Sequence, residues 1–197
     1  SNQVQTISGV PTYGNLTLTA TAAVTKTLGG DLTVSGNLTI GINNTLDVSG
    51  SNFAINLAGN WSAVTGSAFT GGSGTVTFNG SGAQQILGTL SPKVFNDVVV
   101  NKTAATPLNT AGGTTVTMNN LTMTQGDFTP PATLNITGTL TSTAGTLTAG
   151  TNINIGGDWT NNGGTFTPGA GTVTFNSTTA AQGINGSAAT QTFNNLT

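Results

Sequence analysis

"GSGTVTFNGSGAQQILG", residues 72–88, returns as "GAGTVTFNSTTAAQGING", residues 169–186, in a chain of 197 residues with only eight formal charges. Between its glycines each copy carries Thr-Val-Thr-Phe, with an apolar residue at every second position. That alternation marks a short strand with one buried face. The same grammar fills the rest of the chain: "DLTVSG" (31–36), "NLTIG" (37–41), "TLDVSG" (45–50), "FAINLAG" (53–59), "TLNITG" (133–138), "TLTAG" (146–150) and "NINIGG" (152–157). Thr, Val, Ile and Asn are weak helix formers, and 29 glycines interrupt every helical window, so essentially no helix is expected.

A longer repeat overlies the strands. "YGNLTLTATA" begins at Tyr13, "FNDVVVNKTA" at Phe95 and "FNNLT" at Phe193, which are 82 and 98 residues apart, and "GNW" at 59–61 matches "GDW" at 157–159. The chain divides accordingly into the tail of a preceding repeat (1–12), a first unit (13–94), a second unit (95–192) and the start of a third (193–197). The second unit grows most across "TLTSTAGTLTAG" (139–150), which reads as two further short strands and most of an extra coil. A closed domain seldom admits a strand pair in mid-core, whereas a solenoid simply gains a layer. The expected fold is therefore all-β, a parallel β-helix or β-solenoid of short strands. Leu, Val, Ile and Phe would point inward and Thr outward, with Gly and Asn at the turns because they tolerate positive φ. Trp61 and Trp159, at equivalent positions, are expected to plug the core or its corners. Antiparallel β-sandwich units are the alternative, since a unit of 82 to 98 residues also has the size of an immunoglobulin-like domain.

"GDWTNNGGTFTPGAGTVTFN" (157–176), followed by "TFNNLT" (192–197), resembles the tandem repeats of large secreted prokaryotic surface proteins with β-solenoid, haemagglutinin-like adhesin architecture. The resemblance runs through the repeats over nearly the whole chain. It implies a stalk, adhesin or filament component, extracellular or at the cell surface, and its motifs carry no catalytic signature.

The side-chain inventory narrows function further. The charges are Lys26, Lys93, Lys102, Asp31, Asp47, Asp97, Asp127 and Asp158, with no Arg, Glu, His or Cys. Without His or Cys, proton transfer and nucleophilic attack near neutral pH would fall on scattered aspartates, so no enzyme, cofactor or metal site is expected. Three lysines make no basic stripe for nucleic acid. No apolar run reaches the roughly 18 residues of a membrane span, and no charged-then-apolar leader is present. "GGD" at 29–31 and 156–158 echoes calcium-binding β-rolls, but their nonapeptide period is missing. Nothing except the α-amino group is expected to titrate between about pH 5 and 8.

Two surface motifs remain. Thr-x-Thr at 17–19, 75–77, 122–124, 139–141, 146–148 and 172–174 could order water, although the copies are unevenly spaced, and Trp61 and Trp159 could stack on sugar, which leaves an ice-binding or carbohydrate-binding solenoid as an alternative function. Candidate glycosylation sequons begin at Asn15, Asn37, Asn43, Asn60, Asn79, Asn101, Asn120, Asn135, Asn176, Asn185 and Asn195, many of them a product of a composition with 23 Asn and 55 Ser plus Thr. The expected function is a spacer or adhesive scaffold, with a pilin-like subunit polymerising by strand complementation as an alternative. The expected partners are the chain itself, head to tail, and surface glycans or other cells.

Overall fold

The computed structural model describes residues 3–103, 106–188 and 190–197. Its strands are short because glycines and asparagines turn the chain every few residues. They run β1 (Gln5–Ile7), β2 (Thr12–Tyr13), β3 (Leu16–Leu18), β4 (Val24–Leu28), β5 (Leu32–Val34), β6 (Leu38–Ile40), β7 (Asn44–Asp47), β8 (Ile55–Leu57) and β9 (Trp61–Ala63). Next come β10 (Ala68–Thr70), β11 (Thr75–Phe78), β12 (Gln84–Leu87), β13 (Lys93–Val94), β14 (Asp97–Asn101), β15 (Pro107–Thr110), β16 (Thr115–Met118), β17 (Asn120–Gln125) and β18 (Asp127–Thr129). The last are β19 (Thr133–Ile136), β20 (Leu140–Ser142), β21 (Thr146–Thr148), β22 (Asn152–Ile155), β23 (Trp159–Asn161), β24 (Thr165–Thr167), β25 (Thr172–Phe175), β26 (Ile184–Asn185) and β27 (Asn195–Leu196).

Paired strands lie three apart in the chain, except β25 and β27, which lie two apart, and every pairing among the described residues is parallel. The result is a three-faced β-solenoid of about nine turns, which excludes the antiparallel sandwich. Face 1 carries β1-β4-β7-β10 and then, after a break, β13-β16-β19-β22-β25-β27. Face 2 is unbroken from β2 to β26, and face 3 from β3 to β24. Coils vary in length while their registers stay aligned: Thr115 to Thr133 is 18 residues, Trp61 to Ile86 is 25. The corners absorb the difference.

Inward positions hold a continuous apolar column, with Leu32, Leu38, Ile55, Leu57, Phe78, Phe128 and Leu140 fully buried. Two aromatic clusters interrupt it at repeat-equivalent places. Trp61 meets Phe69 edge-on with ring centroids 4.8 Å apart and Phe95 at 5.0 Å; Trp159 meets Phe166 at 4.8 Å and Phe193 at 5.4 Å. Both tryptophans are 1% exposed, which places them in the core.

The sequence repeat and the coil are out of phase. Leu16 (β3), Val98 (β14) and Leu196 (β27), equivalent in the three copies, sit on faces 3, 2 and 1. Trp61 (β9) is on face 3 and Trp159 (β23) on face 2. From β3 to β14 is eleven strands and from β9 to β23 fourteen, and both leave a remainder of two on division by three. Successive copies are therefore turned by one face. The second offset is larger by three strands, one whole coil, so the coil added within the second unit leaves the rotation unchanged. "TLDVSG" and "TLNITG" alone keep their face, being twelve strands apart in β7 and β19.

Trp61→Ala and Trp159→Ala should each cost about 3–5 kcal/mol in chemical denaturation, because the edge-on partners of each indole close around a cavity. Gly88→Ala should also destabilise the fold: Gly88 has φ of +94°, and a Cβ there would collide with the Ala63 carbonyl. Thr77→Ala, which points outward from face 2, should stay within about 0.5 kcal/mol of wild type.

Candidate functional site

All three lysines occupy inward positions of the strand alternation. Lys26 follows Val24 and precedes Leu28, Lys102 continues the Val98–Val100 row, and Lys93 shares its side with Phe95; each is buried. An ammonium taken out of water needs an acceptor for each proton. The Nζ of Lys102, wholly buried, donates to the carbonyls of Gly80 (3.0 Å) and Gly82 (2.8 Å) and to Gln84 Oε1 (2.8 Å). Gln84 is fixed in turn, since its Nε2 donates to the carbonyls of Leu57 (2.9 Å) and Gly59 (2.6 Å) while Oε1 accepts the Gly80 N–H. Lys93 Nζ donates to the Gly88 and Leu90 carbonyls at 2.8 and 2.9 Å and to the Gly112 carbonyl of the following coil. Lys26 Nζ reaches back one coil to Gln5 Oε1 (2.7 Å) and the Gln3 carbonyl (3.2 Å). Loss of hydration lowers the pKa of Lys93 and pushes that of Lys102 down to about 8. Titration of Lys102 thus reaches the upper edge of the range expected to be silent.

The aspartates are acceptors too. Asp31 Oδ1 takes the Ala54 N–H, Asp127 the Thr146 N–H and Asp158 the Gly183 N–H, at 2.9, 2.9 and 2.7 Å, each from the next coil. Asp97 accepts from Asn120 Nδ2 at 2.9 Å, and Asp47 ties its own corner through the N–H and hydroxyl of Ser49. The structure does not gather these carboxylates: among the described residues no three His, Cys, Asp or Glu side chains lie together.

Several sequon asparagines are rungs of a ladder. Asn15 Oδ1 accepts the Asn37 N–H (2.7 Å), Asn37 Oδ1 the Asn60 N–H (2.8 Å) and Asn60 Oδ1 the Gln85 N–H (2.8 Å). These rungs are one coil apart, about 4.8 Å, so a glycan on one would crowd the next. Asn120 accepts from the Thr139 N–H and hydroxyl, and Asn135 joins Thr117 to Asn154. Asn43 turns a corner at φ of 66°. Asn79, Asn101, Asn176, Asn185 and Asn195 are exposed.

The unevenly spaced threonines align once the coils stack. On face 2 a single outward column runs Thr12, Thr33, Asn56, Thr77, Val99, Thr122, Thr141, Thr160 and Asn185. On face 1 two columns run side by side: Thr115, Thr133, Asn152, Thr172 and Asn195, beside Thr117, Asn135, Asn154 and Thr174. At the break in face 1, Phe69, Leu90, Pro92 and Val94 line a shallow apolar notch of about 160 Å³. No helix among the described residues is long and apolar enough to cross a membrane. In comparisons with protein-family models, curated proteins and solved structures, the chain has no match.

The lowered pKa of Lys102 sets the sign of a pH effect. Between about 8 and 10.5 the unfolded chain holds a proton that the folded chain has released, so stability rises with pH across that window and the burial cost is fully present below it. Lys102→Met should remove this part of the rise. It should also lower stability at pH 7 by about 1–3 kcal/mol, because three buried acceptors lose their donor. Denaturation midpoints measured from pH 7 to 10.5 check both effects.

Proposed function

We propose that the chain is a structural repeat module of an extracellular surface protein, a segment of an adhesin, stalk or filament that acts as a rigid spacer or adhesive scaffold. One observation carries this reading: seven of the eight charged side chains tie one coil to its neighbour, and Asp47 ties a corner. Groups that would serve catalysis or recognition in another protein are spent on stacking here. A spacer also gains from coils of variable length, because its reach depends on coil number and not on any one site.

A scaffold should accept whole coils. Leu140 pairs with Trp159, so residues 140–158 make one coil of 19 residues. Four extra in-phase copies should lengthen the rod by about 19 Å in small-angle scattering and leave the strand content per residue unchanged. Deleting 140–149 alone, which breaks the phase, should unfold the neighbouring coils. In-phase insertions that unfold the chain, or a sugar-cleaving activity lost on replacing one aspartate in an intact fold, would overturn the reading.

The paired columns on face 1 favour a second reading, an ice-binding surface. Their nine outward residues are all Thr or Asn, none of them ionisable, and β-branched threonines hold their hydroxyls and methyls in fixed rotamers. Thermal hysteresis of the purified chain, abolished by Thr174→Tyr but retained in Thr39→Tyr on face 3, is the result this reading requires. No hysteresis at millimolar concentration removes it.

A further inference from the structure

The chain holds three Asn-Gly pairs, at 79–80, 162–163 and 185–186. Such a pair is labile because no side chain on the glycine obstructs attack by its backbone nitrogen on the asparagine Cγ. The new N–Cγ bond closes a succinimide, the side-chain nitrogen leaves as ammonia, and water opens the ring to aspartate or isoaspartate. Water is the only co-reactant. The fold itself demands the first two glycines: a Cβ on Gly80 would lie 2.1 Å from the Ala58 carbonyl oxygen, and Gly163 has a φ of +148°.

We infer that Asn162 is a spontaneous deamidation site of the folded chain, and that Asn79 is kept from the same reaction by the side chain of Gln84. Both asparagines are exposed, so contact with water does not separate them. Their surroundings do. Asn162 stands in the bend after β23, and its Oδ1 accepts the Ser187 N–H at 3.2 Å. That bond draws charge from Cγ and sets a donor where the attacked oxygen becomes negative. The attacking nitrogen, that of Gly163, is exposed with its residue and donates to Asn161 Oδ1 within the same turn at 3.1 Å, near the long limit for an N–H donor.

At Asn79 the attacking nitrogen is tied down. Gly80 is buried, and its N–H donates to Gln84 Oε1 at 2.8 Å. Gln84 is wholly buried and cannot follow a moving corner, because Lys102 Nζ holds the same oxygen and the Leu57 and Gly59 carbonyls hold Nε2. Turning the Gly80 nitrogen onto Cγ therefore breaks a buried hydrogen bond before the ring can close. The second repeat makes the same bond without a glycine, since the Ser177 N–H after Asn176 donates to Gln182 Oε1 at 2.7 Å. The tie belongs to the corner, and the labile pair of the first repeat gains its protection. Asn185 lies within β26 in register with Thr160, where extended backbone keeps the next nitrogen away from its own Cγ.

Peptide mapping by mass spectrometry, after incubation of the purified chain at mildly alkaline pH, tests this. Aspartate and isoaspartate should accumulate at Asn162 at least about tenfold faster than at Asn79. In guanidinium chloride the two sites should react at similar rates, because the difference lies in the fold. Gln84→Met removes the acceptor and should raise the Asn79 rate about tenfold while the Asn162 rate stays unchanged. Gln84→Glu keeps an acceptor for the Gly80 N–H and should hold Asn79 at its wild-type rate. Both variants lose the Nε2 bonds to Leu57 and Gly59, so a general loosening of the corner would move them alike. If Gln84→Met does not fold, its two rates converge as in denaturant and the wild-type comparison decides. A folded wild type in which Asn162 is silent or Asn79 keeps pace with it overturns the inference, as does a folded Gln84→Met no faster at Asn79 than Gln84→Glu.

Discussion

Every coil must return in phase to the coil beneath it. Strand pairing at an interval of three is the constraint on which the rest of the molecule depends, because a parallel ladder forms only if each strand arrives on its own face in register. A coil of 18 residues and one of 25 both meet this condition, since the corners take up the surplus. The apolar column follows: once registers align, Leu38 stacks on Trp61, Leu134 on Ile153 and Val76 on Val98, and the interior fills without help from any second layer. The repeats respect the same rule. A unit can gain three strands without disturbing its successors, because three strands are one turn.

A solenoid this thin leaves corner carbonyls close to the interior, and the lysines answer that problem. The ammoniums of Lys102 and Lys93 each collect two carbonyl oxygens of one corner, so that one cation does the work of several turn hydrogen bonds. Gln84 and Gln182 do the same with neutral amides, and Asn44 does so at another corner, donating to the carbonyls of Gly41 (3.2 Å), Ile42 (3.0 Å) and Leu18 (3.3 Å). Asn, Asp and Thr oxygens on the outside accept N–H groups one coil away. Cohesion along the axis therefore comes from three nested sets of contacts: the ladder, the apolar column and these polar ties.

Much of this was legible in the sequence and some was not. In "DLTVSG" the alternation places Leu32 and Val34 inside and Thr33 outside, which is what the structure has. Parallel stacking followed from the tolerance of the repeats for an added layer. The buried lysines were missed because lysine is usually solvated, yet the signal was present: in "VTKTL" Lys26 has the parity of Val24 and Leu28, and in "VVVNK" Lys102 that of Val98 and Val100. The rotation between repeats could not be read, because nothing in "GNW" or "GDW" says on which face the tryptophan falls; that depends on counting strands such as β13, two residues long, that no periodicity reveals. The Thr-x-Thr motifs looked irregular for the same reason. Their spacing reflects corner length, which varies, and not register, which does not.

The most direct test of in-phase stacking is a distance along one face. Thr33 in β5 and Thr160 in β23 stand in the same outward column of face 2, six pairings apart. The chain has no cysteine, so Thr33→Cys and Thr160→Cys accept spin labels without interference. Six intervals of about 4.8 Å place the labelled backbones about 29 Å apart, and pulsed electron resonance should return a single narrow distribution near that value. A broad distribution, or one centred more than about 10 Å away, would contradict a column built by adding one coil at a time.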